Sequence, residues 1–166
     1  TGRKDPPSRS NTVRRNTVSA IWWGHNVDLA GGADHVVEYN LLADNSLAGV
    51  LTLNLTPSYP NYPLSNSVVR RNVLLRGGGN FAGQKRGAFW IFAGNTGITD
   101  VRVEENFITR PIFRGIQMTG PSPQVISFVG NTIEYPGEDA IYVDANVTGS
   151  GTFSHNRVTG LSAGYQ

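Results

Sequence analysis

Apolar and polar positions repeat along this chain in one frame that returns six times. Each repeat centres on an asparagine, with an apolar residue three positions before it and another two positions after it. The asparagines are Asn16, Asn40, Asn72, Asn106, Asn131 and Asn156. They lie 24, 32, 34, 25 and 25 residues apart, a range of periods at which one supersecondary unit stacks on the next. The pattern predicts a solenoid in which each repeat forms one coil.

Five of the repeats also contain a second apolar pair, in which two apolar residues flank one outward position. This spacing is the period of two expected of a strand with one buried face. The pairs are Val27/Leu29, Leu51/Leu53, Phe89/Ile91, Ile116/Met118 and Ile141/Val143. No segment shows sustained helical periodicity, so the chain is predicted to be all-β. Coils of this size indicate a single-stranded, right-handed parallel β-helix of about six coils, stacked about 4.8 Å apart.

The recurring asparagine is interpreted as a structural residue. Coils stacked in register place the six amides above one another, so they can hydrogen-bond along the stack as side-chain ladders do in cross-β structures. An Asn side chain can also satisfy the backbone groups of a buried turn. A catalytic role is not predicted for any of the six.

A series of alternating charge runs along the outward side of the first strand. It consists of Arg14, Glu38, Arg70 and Glu104, and Arg15, Arg71 and Glu105 extend it. Opposite charges on neighbouring strands contribute roughly 0.2–1 kcal/mol per pair, so we interpret the series as a ladder that sets the register. Asp100, Glu104 and Glu105 also offer clustered oxygen ligands of the kind that bind Ca²⁺, which is the less favoured interpretation. No other metal or cofactor is predicted.

Composition narrows the class of protein. Of 166 residues, 16% are charged, and 20 glycines and 9 prolines separate short apolar runs, as turns do in β-rich chains. The lack of cysteine excludes a disulfide framework and a thiolate metal site, which fits a secreted protein. No apolar stretch is long enough to span a membrane. The formal net charge of +2 comes from scattered arginines, so nucleic-acid binding is not predicted.

The outward position of the second strand differs from coil to coil. It is occupied by Asp28, Thr52, Trp90, Gln117 and Tyr142. Aromatic rings pack on the apolar faces of sugar rings, and amides and carboxylates bind hydroxyl groups, so this stripe is a candidate surface for a polysaccharide. The alternative is an ordinary exposed sheet face, on which aromatic residues and Thr are common. An exposed Trp90 favours binding, because large apolar groups are costly to leave in water. His25 and Arg114, in the turn before the strand, extend the surface.

Two coils carry insertions, which in solenoids often form the binding face. One contains a Pro- and Tyr-rich run at 57–63, and the other contains Gly-Gly-Gly at 77–79 and Gln-Lys-Arg at 84–86. Trp22 and Trp23 are adjacent and cannot both point inward from a strand, so one is predicted to face solvent.

Catalytic residues are harder to assign. Glu138 and Asp139 form the best adjacent carboxylate pair, and glycoside hydrolysis needs two carboxyls roughly 5–9.5 Å apart. A polar turn is the favoured interpretation of this pair, which is only a weak catalytic candidate. Asp28 lies on the same face but three coils away, about 14 Å at the usual strand spacing, which is too far to pair with Asp139. No other catalytic residue is assigned from the sequence.

Four motifs carry a resemblance to a known family. They are Asn11-Thr-Val-Arg-Arg-Asn-Thr-Val18, Asn26-Val-Asp-Leu-Ala-Gly-Gly32, Gly87-Ala-Phe-Trp-Ile-Phe92 and Arg114-Gly-Ile-Gln-Met118. Their order resembles the α-1,3-glucanase and mycodextranase family of glycoside hydrolases, which are secreted parallel β-helix enzymes. The resemblance implies an α-glucan as substrate. That family carries its catalytic aspartates in a Gly-Asp-Asp coil and in the coil before it, and neither coil occurs here. The resemblance therefore implies coils that contribute substrate contacts, with the catalytic aspartates outside this chain.

Residues 1–166 are predicted to form one β-helix domain that is part of a longer one. Solenoids protect their terminal coils with polar caps, and neither end of the chain has the sequence of a cap. The expected partners are therefore a polysaccharide and the remaining coils of the same or a nicked chain. Two alternatives stay open: a non-catalytic carbohydrate-binding β-helix, and a structural β-helix of an adhesin or a tail fibre.

Overall fold

The computed structural model of the chain describes residues 7–55, 62–94 and 96–160. Within these ranges all regular structure is β-strand, arranged as three sheets of stacked parallel strands and one two-stranded antiparallel hairpin. Most of the Pro- and Tyr-rich insertion, and the two chain ends on which the fragment prediction rests, lie outside the described residues. No helix in the described part of the chain is long and apolar enough to cross a membrane.

The three sheets each run the length of the stack. Sheet 1 is formed, in spatial order, by Thr12–Arg14, Val36–Glu38, Val68–Arg70, Ile98–Glu104, Gln124–Val129 and Gly149–Ser154, with Gly32–Ala33 and Leu64–Ser65 extending it. Sheet 2 is formed by Thr17–Val18, Leu41–Ala43, Val73–Leu75, Phe107–Thr109, Thr132–Glu134 and Arg157–Thr159. Sheet 3 is formed by Val27–Leu29, Leu51–Leu55, Gly87–Ala93, Arg114–Thr119 and Ile141–Val143. Asn80–Phe81 and Gln84–Lys85 make an antiparallel hairpin within the second insertion.

The register follows the frame of the sequence. The apolar residue before each asparagine is the Cα partner of its counterpart one coil on, from Val13 and Val37 through to Phe128 and Phe153. The inner members of this column, Val37, Val69, Val103 and Phe128, are fully buried in the hydrophobic core. Each such side chain contributes roughly 1.5–3 kcal/mol by leaving water. The predicted parallel β-helix is confirmed.

The predicted asparagine ladder lies in the corner between sheets 1 and 2. In each step, one side-chain oxygen accepts two hydrogen bonds from the asparagine of the preceding coil, one from its backbone N–H and one from its amide, at 2.9–3.0 Å. Amides in the later coils also donate to a backbone carbonyl of the preceding coil, as Asn72 does to Val37 at 2.9 Å. The corner is therefore satisfied by the same side chain in every coil.

The ladder also holds an unusual backbone conformation. The residue before the asparagine has a φ of 52–56° in five coils, at Arg15, Tyr39, Arg71, Glu105 and His155. Left-handed geometry costs a non-glycine residue roughly 1–2 kcal/mol. The hydrogen bonds of the following asparagine offset this cost, so the corner does not need a glycine.

The charge series forms ion pairs at its start. Glu38 is buried between Arg14 and Arg70, at 2.9 and 2.8 Å. Farther along the stack, Arg71 pairs with Glu105 at 2.6 Å, and Glu104 lies 3.6 Å from Arg102. Across the described ranges no three His, Asp or Glu side chains are grouped closely enough to hold a metal ion. The Ca²⁺ interpretation of Asp100, Glu104 and Glu105 stays a prediction.

Candidate functional site

The outer face of sheet 3 carries the stripe that the sequence analysis singled out. Its five residues are Cα partners in consecutive coils, in the order Asp28, Thr52, Trp90, Gln117 and Tyr142. The residues on either side of Trp90, Phe89 and Ile91, belong to the core. The stripe therefore points away from the core, as the alternation of the sequence indicates.

The prediction that Trp90 is exposed is wrong. Thr52, Trp90 and Gln117 keep only 0%, 8% and 3% of their surface exposed, whereas Asp28 is exposed and Tyr142 is half-buried. Trp90 is covered because the guanidinium of Arg86, at the end of the second insertion, lies 4.1 Å from the centre of its ring. The middle of the outer face is thus a second packed layer.

Polar atoms of the buried stripe residues are bonded within the protein. Thr52 donates its hydroxyl hydrogen to Asp28 Oδ1 at 2.6 Å. The indole N–H of Trp90 donates to the Thr119 hydroxyl at 2.9 Å, and Gln117 Oε1 accepts the backbone N–H of Gly87 at 2.7 Å. Buried polar groups need such partners, so these three contacts hold neighbouring coils together.

A groove, here called the large groove, opens between the hairpin and the last two strands of sheet 3. Its volume is about 580 Å³, within the range of roughly 300–1,000 Å³ typical of ligand sites. It is lined by Gly83, Gln84, Lys85, Arg86, Phe92, Arg114, Gln117, Thr119, Gly120, Pro121, Tyr142, Asp144 and Asn146. The guanidinium of Arg114 lies 3.6 Å from the centre of the Tyr142 ring, so the wall is flat there. Arg114, Gln117 and Tyr142 are predicted binding residues that the structure brings together.

A smaller cavity, here called the aromatic pocket, lies on the other side of Arg86. It has a volume of about 220 Å³ and is lined by Trp23, Gly24, His25, Leu47, Ala48, Phe81, Arg86 and Trp90. The rings of Trp23 and Phe81 meet edge to face at 5.5 Å, and His25 lies 5.8 Å from Trp90. Trp22 and Trp23 are 82% and 69% exposed, so both tryptophans face solvent where the sequence indicated one.

Two asparagines outside the ladder shape this pocket. The Asn45 amide donates to the Gly24 carbonyl at 2.8 Å and to Asn26 Oδ1 at 3.0 Å, and its oxygen accepts the backbone N–H groups of Leu47 and Ala48. One buried side chain thereby holds both walls. Sequence reasoning missed this contact, because Asn26 and Asn45 stand at different distances from their ladder asparagines.

Comparison with known proteins places this architecture in a family. The sequence matches the family described as right handed beta helix region over residues 7–166. The chain belongs to this family. No curated protein matches the sequence.

Two solved structures share the fold of this right-handed β-helix. The crystal structure of the Agl-KA catalytic domain aligns with a TM-score of 0.66 and 16% identity, covering 88% of this chain and 33% of that one. The catalytic domain of a GH87 alpha-1,3-glucanase in complex with tetrasaccharides aligns with a TM-score of 0.52 and 18% identity, covering 84% and 34%. The chain thus spans about a third of the length of these solved structures.

The predicted carboxylate pair of this β-helix is divided between two cations. Glu138 forms an ion pair with Lys85 of the hairpin, and Asp139 lies 3.3 Å from Arg114 Nε. The carboxylate that lines the large groove is Asp144, which accepts the backbone N–H of Asn146 at 3.0 Å. The large groove presents cations, amides and two aromatic residues, Phe92 and Tyr142, which suits binding of hydroxyl and carboxylate groups. The catalytic role of Glu138 and Asp139 stays a prediction.

His25, which lines the aromatic pocket, interacts electrostatically with the nearby carboxylate of Asp28. Burial lowers the pKa of His25, and the negative charge of Asp28 partly opposes that change. Burial also raises the pKa of Asp28, although the carboxyl is partly exposed, and the hydrogen bond from Thr52 opposes this. Desolvation is the larger cause in both because it disfavours the charged form of each group.

Proposed function

We propose that this chain is the β-helix portion of a secreted, polysaccharide-degrading glycoside hydrolase and that it supplies substrate-binding surface. The observation that carries the proposal is the large groove, with its stacked Tyr142 and Arg114 on the outer face of sheet 3. The fold shared with two catalytic domains, one of them that of an alpha-1,3-glucanase in complex with tetrasaccharides, supports it. An α-glucan is the first substrate to test, and a polymer of that size is met outside the cell.

The groove has the shape and chemistry that a sugar chain needs. Arg86, Arg114 and Tyr142 stand in or beside strands of three consecutive coils, which gives a length of roughly 10 Å along the stack. Tyr142 offers aromatic surface, while Gln84 and Asn146 offer amide groups that both donate and accept hydrogen bonds. A chain lying parallel to the stack would contact all three coils.

Catalysis is assigned to residues outside this chain. Among the described residues, Asp144 is the single carboxylate that lines the large groove, whereas hydrolysis needs two carboxyls at a defined separation. We therefore expect this chain by itself to bind a polysaccharide without cleaving it.

Calorimetric titration with an α-1,3-linked glucan tetrasaccharide tests the proposal. The unmodified chain should bind the tetrasaccharide, and Tyr142→Ala should weaken binding at least tenfold because the flat wall of the groove is lost. Tyr135→Ala is the matched control, since Tyr135 is an exposed tyrosine that does not line the groove. Absence of binding to this and other polysaccharides, or equal loss in both variants, would refute the proposed function.

The single groove carboxylate also favours a second candidate, a carbohydrate-binding β-helix that takes part in no hydrolysis. The two candidates differ in the longer protein to which the chain would belong. Release of reducing sugar by that protein supports the hydrolase. Comparing its Asp139→Asn and Asp144→Asn variants with the unmodified protein tests whether either carboxylate takes part in that release. Binding without release supports the second candidate.

A further inference from the structure

Arg86 stands between the two cavities and lines both of them. Its neighbours in the large groove are neutralised, since Lys85 pairs with Glu138 and Arg114 pairs with Asp139. Arg86 is different: within the described ranges it forms no ion pair with any Asp or Glu. Its guanidinium instead rests on the Trp90 ring at 4.1 Å and donates one hydrogen bond to Gln84 Oε1 at 2.6 Å.

This environment compensates the charge of Arg86 only in part. The side chain is half-buried, and loss of water lowers the pKa of the guanidinium, which still stays protonated at neutral pH. A charge taken out of water is normally matched by an opposite charge. The aromatic face of Trp90 attracts the cation but satisfies none of its N–H donors. The planar fork of an arginine matches a carboxylate with two parallel hydrogen bonds.

We propose that Arg86 binds the carboxylate of an acidic sugar, so that the site prefers a uronate-containing polysaccharide to a neutral one. The acidic ring would sit in the aromatic pocket against Trp23 and Phe81, and the chain would continue into the large groove. Asp144 stands two coils beyond Arg86, and Asp28, which accepts a hydrogen bond from Thr52, stands two coils before it, so each carboxylate lies roughly 10 Å along the stack from the coil of Arg86. The inference rests on the proposed function, because it takes the ligand to be a polysaccharide.

The test is a calorimetric titration at low salt with two matched probes, trigalacturonate and its fully methyl-esterified, neutral form. The unmodified chain should bind trigalacturonate at least tenfold more tightly than the ester. Arg86→Gln should abolish this preference, so that the variant binds trigalacturonate and the ester with equal affinity. Arg157→Gln is the matched control, because Arg157 is an exposed arginine on sheet 2, away from both cavities, and it should leave the preference unchanged.

A conservative variant keeps the test decisive if Arg86→Gln unfolds the chain. Arg86→Lys retains the positive charge but loses the planar fork, so it should keep the fold and reduce the preference three- to tenfold. Equal affinity of the unmodified chain for acid and ester overturns the inference while leaving the proposed function standing. A preference that survives in a folded Arg86→Gln overturns the assignment to Arg86. Failure to bind these probes and the neutral glucan tetrasaccharide overturns both proposals.

Discussion

The corner between sheets 1 and 2 and the outer face of sheet 3 share one register but are built in opposite ways. In the corner, every coil places the same residue at the same point, and neighbouring asparagines bond to one another. On the outer face, five different residues occupy the equivalent position, and Trp90 and Gln117 bond to residues from other parts of the coils. A side chain repeated in every coil forms the scaffold, whereas a position that varies from coil to coil can contribute to a binding site.

The largest expected change in the free energy of unfolding comes from removing the buried ring of Trp90. Trp90→Ala removes a ring covered by Arg86 and a hydrogen bond to Thr119, and it should lower the free energy of unfolding by about 3–5 kcal/mol. Trp22→Ala, at a residue that is 82% exposed, should change it by less than about 0.5 kcal/mol. Urea unfolding followed by circular dichroism measures both. Similar losses in the two variants would mean that the outer face is not a packed layer.

The asparagine ladder should contribute less to the free energy of unfolding at its terminal step than in its buried middle. Asn106→Ala removes a buried amide that bonds to Asn72, Asn131 and the Val69 carbonyl, which should cost about 3 kcal/mol because buried backbone groups lose their partners. Asn156→Ala, in a half-buried terminal step, should cost about 1 kcal/mol. The same unfolding experiment measures both. Equal losses of unfolding free energy in the two variants would show that the contribution of a ladder asparagine does not depend on its burial.

Charged residues on the outer side of sheet 1 should differ less in their contribution to stability. Glu38→Gln removes a buried carboxylate shared by Arg14 and Arg70 and should cost about 1 kcal/mol. Glu105→Gln breaks an exposed pair with Arg71 and should cost less than Glu38→Gln. Thermal unfolding at two salt concentrations separates them, since the exposed pair is the more strongly screened. A larger effect at Glu105 would contradict the expected dependence on burial.

The smallest expected effects concern pH at the edge of the aromatic pocket. The lowered pKa of His25 means that folding favours its neutral form, so its contribution to stability is complete above 6.5 and declines as the pH falls through the folded pKa. The raised pKa of Asp28 acts in the opposite direction: its contribution is present below 3.8 and is lost as the pH rises through the folded pKa.

Asp28→Asn should therefore stabilise the chain slightly at neutral pH. It should also lower the pKa of His25 further, because the charge of Asp28 is what raises it. A proton NMR titration of His25 measures the second effect. An unchanged or higher pKa of His25 in the variant would show that the two groups are not coupled.

The aromatic pocket could not be predicted from the sequence. Its walls come from the hairpin of the second insertion, from the Trp22-Trp23 segment and from the loop braced by Asn45. None of these recurs from coil to coil, so no repeat pattern predicts which of them meet. The alternation around Trp90 correctly placed its side chain outside the core, but burial of that side chain depends on Arg86, which belongs to the insertion.

The sequence by itself determined the coil, its register and the role of the asparagine ladder. Because coils stack in register, residues one repeat apart in the sequence lie directly above one another in the structure. Only the tertiary structure decided what covers sheet 3, how Glu138 and Asp139 are neutralised, and that Arg86 stands between two cavities without a carboxylate partner among the described residues. Those contacts join segments that share no period, and their geometry depends on how each insertion folds back onto the stack.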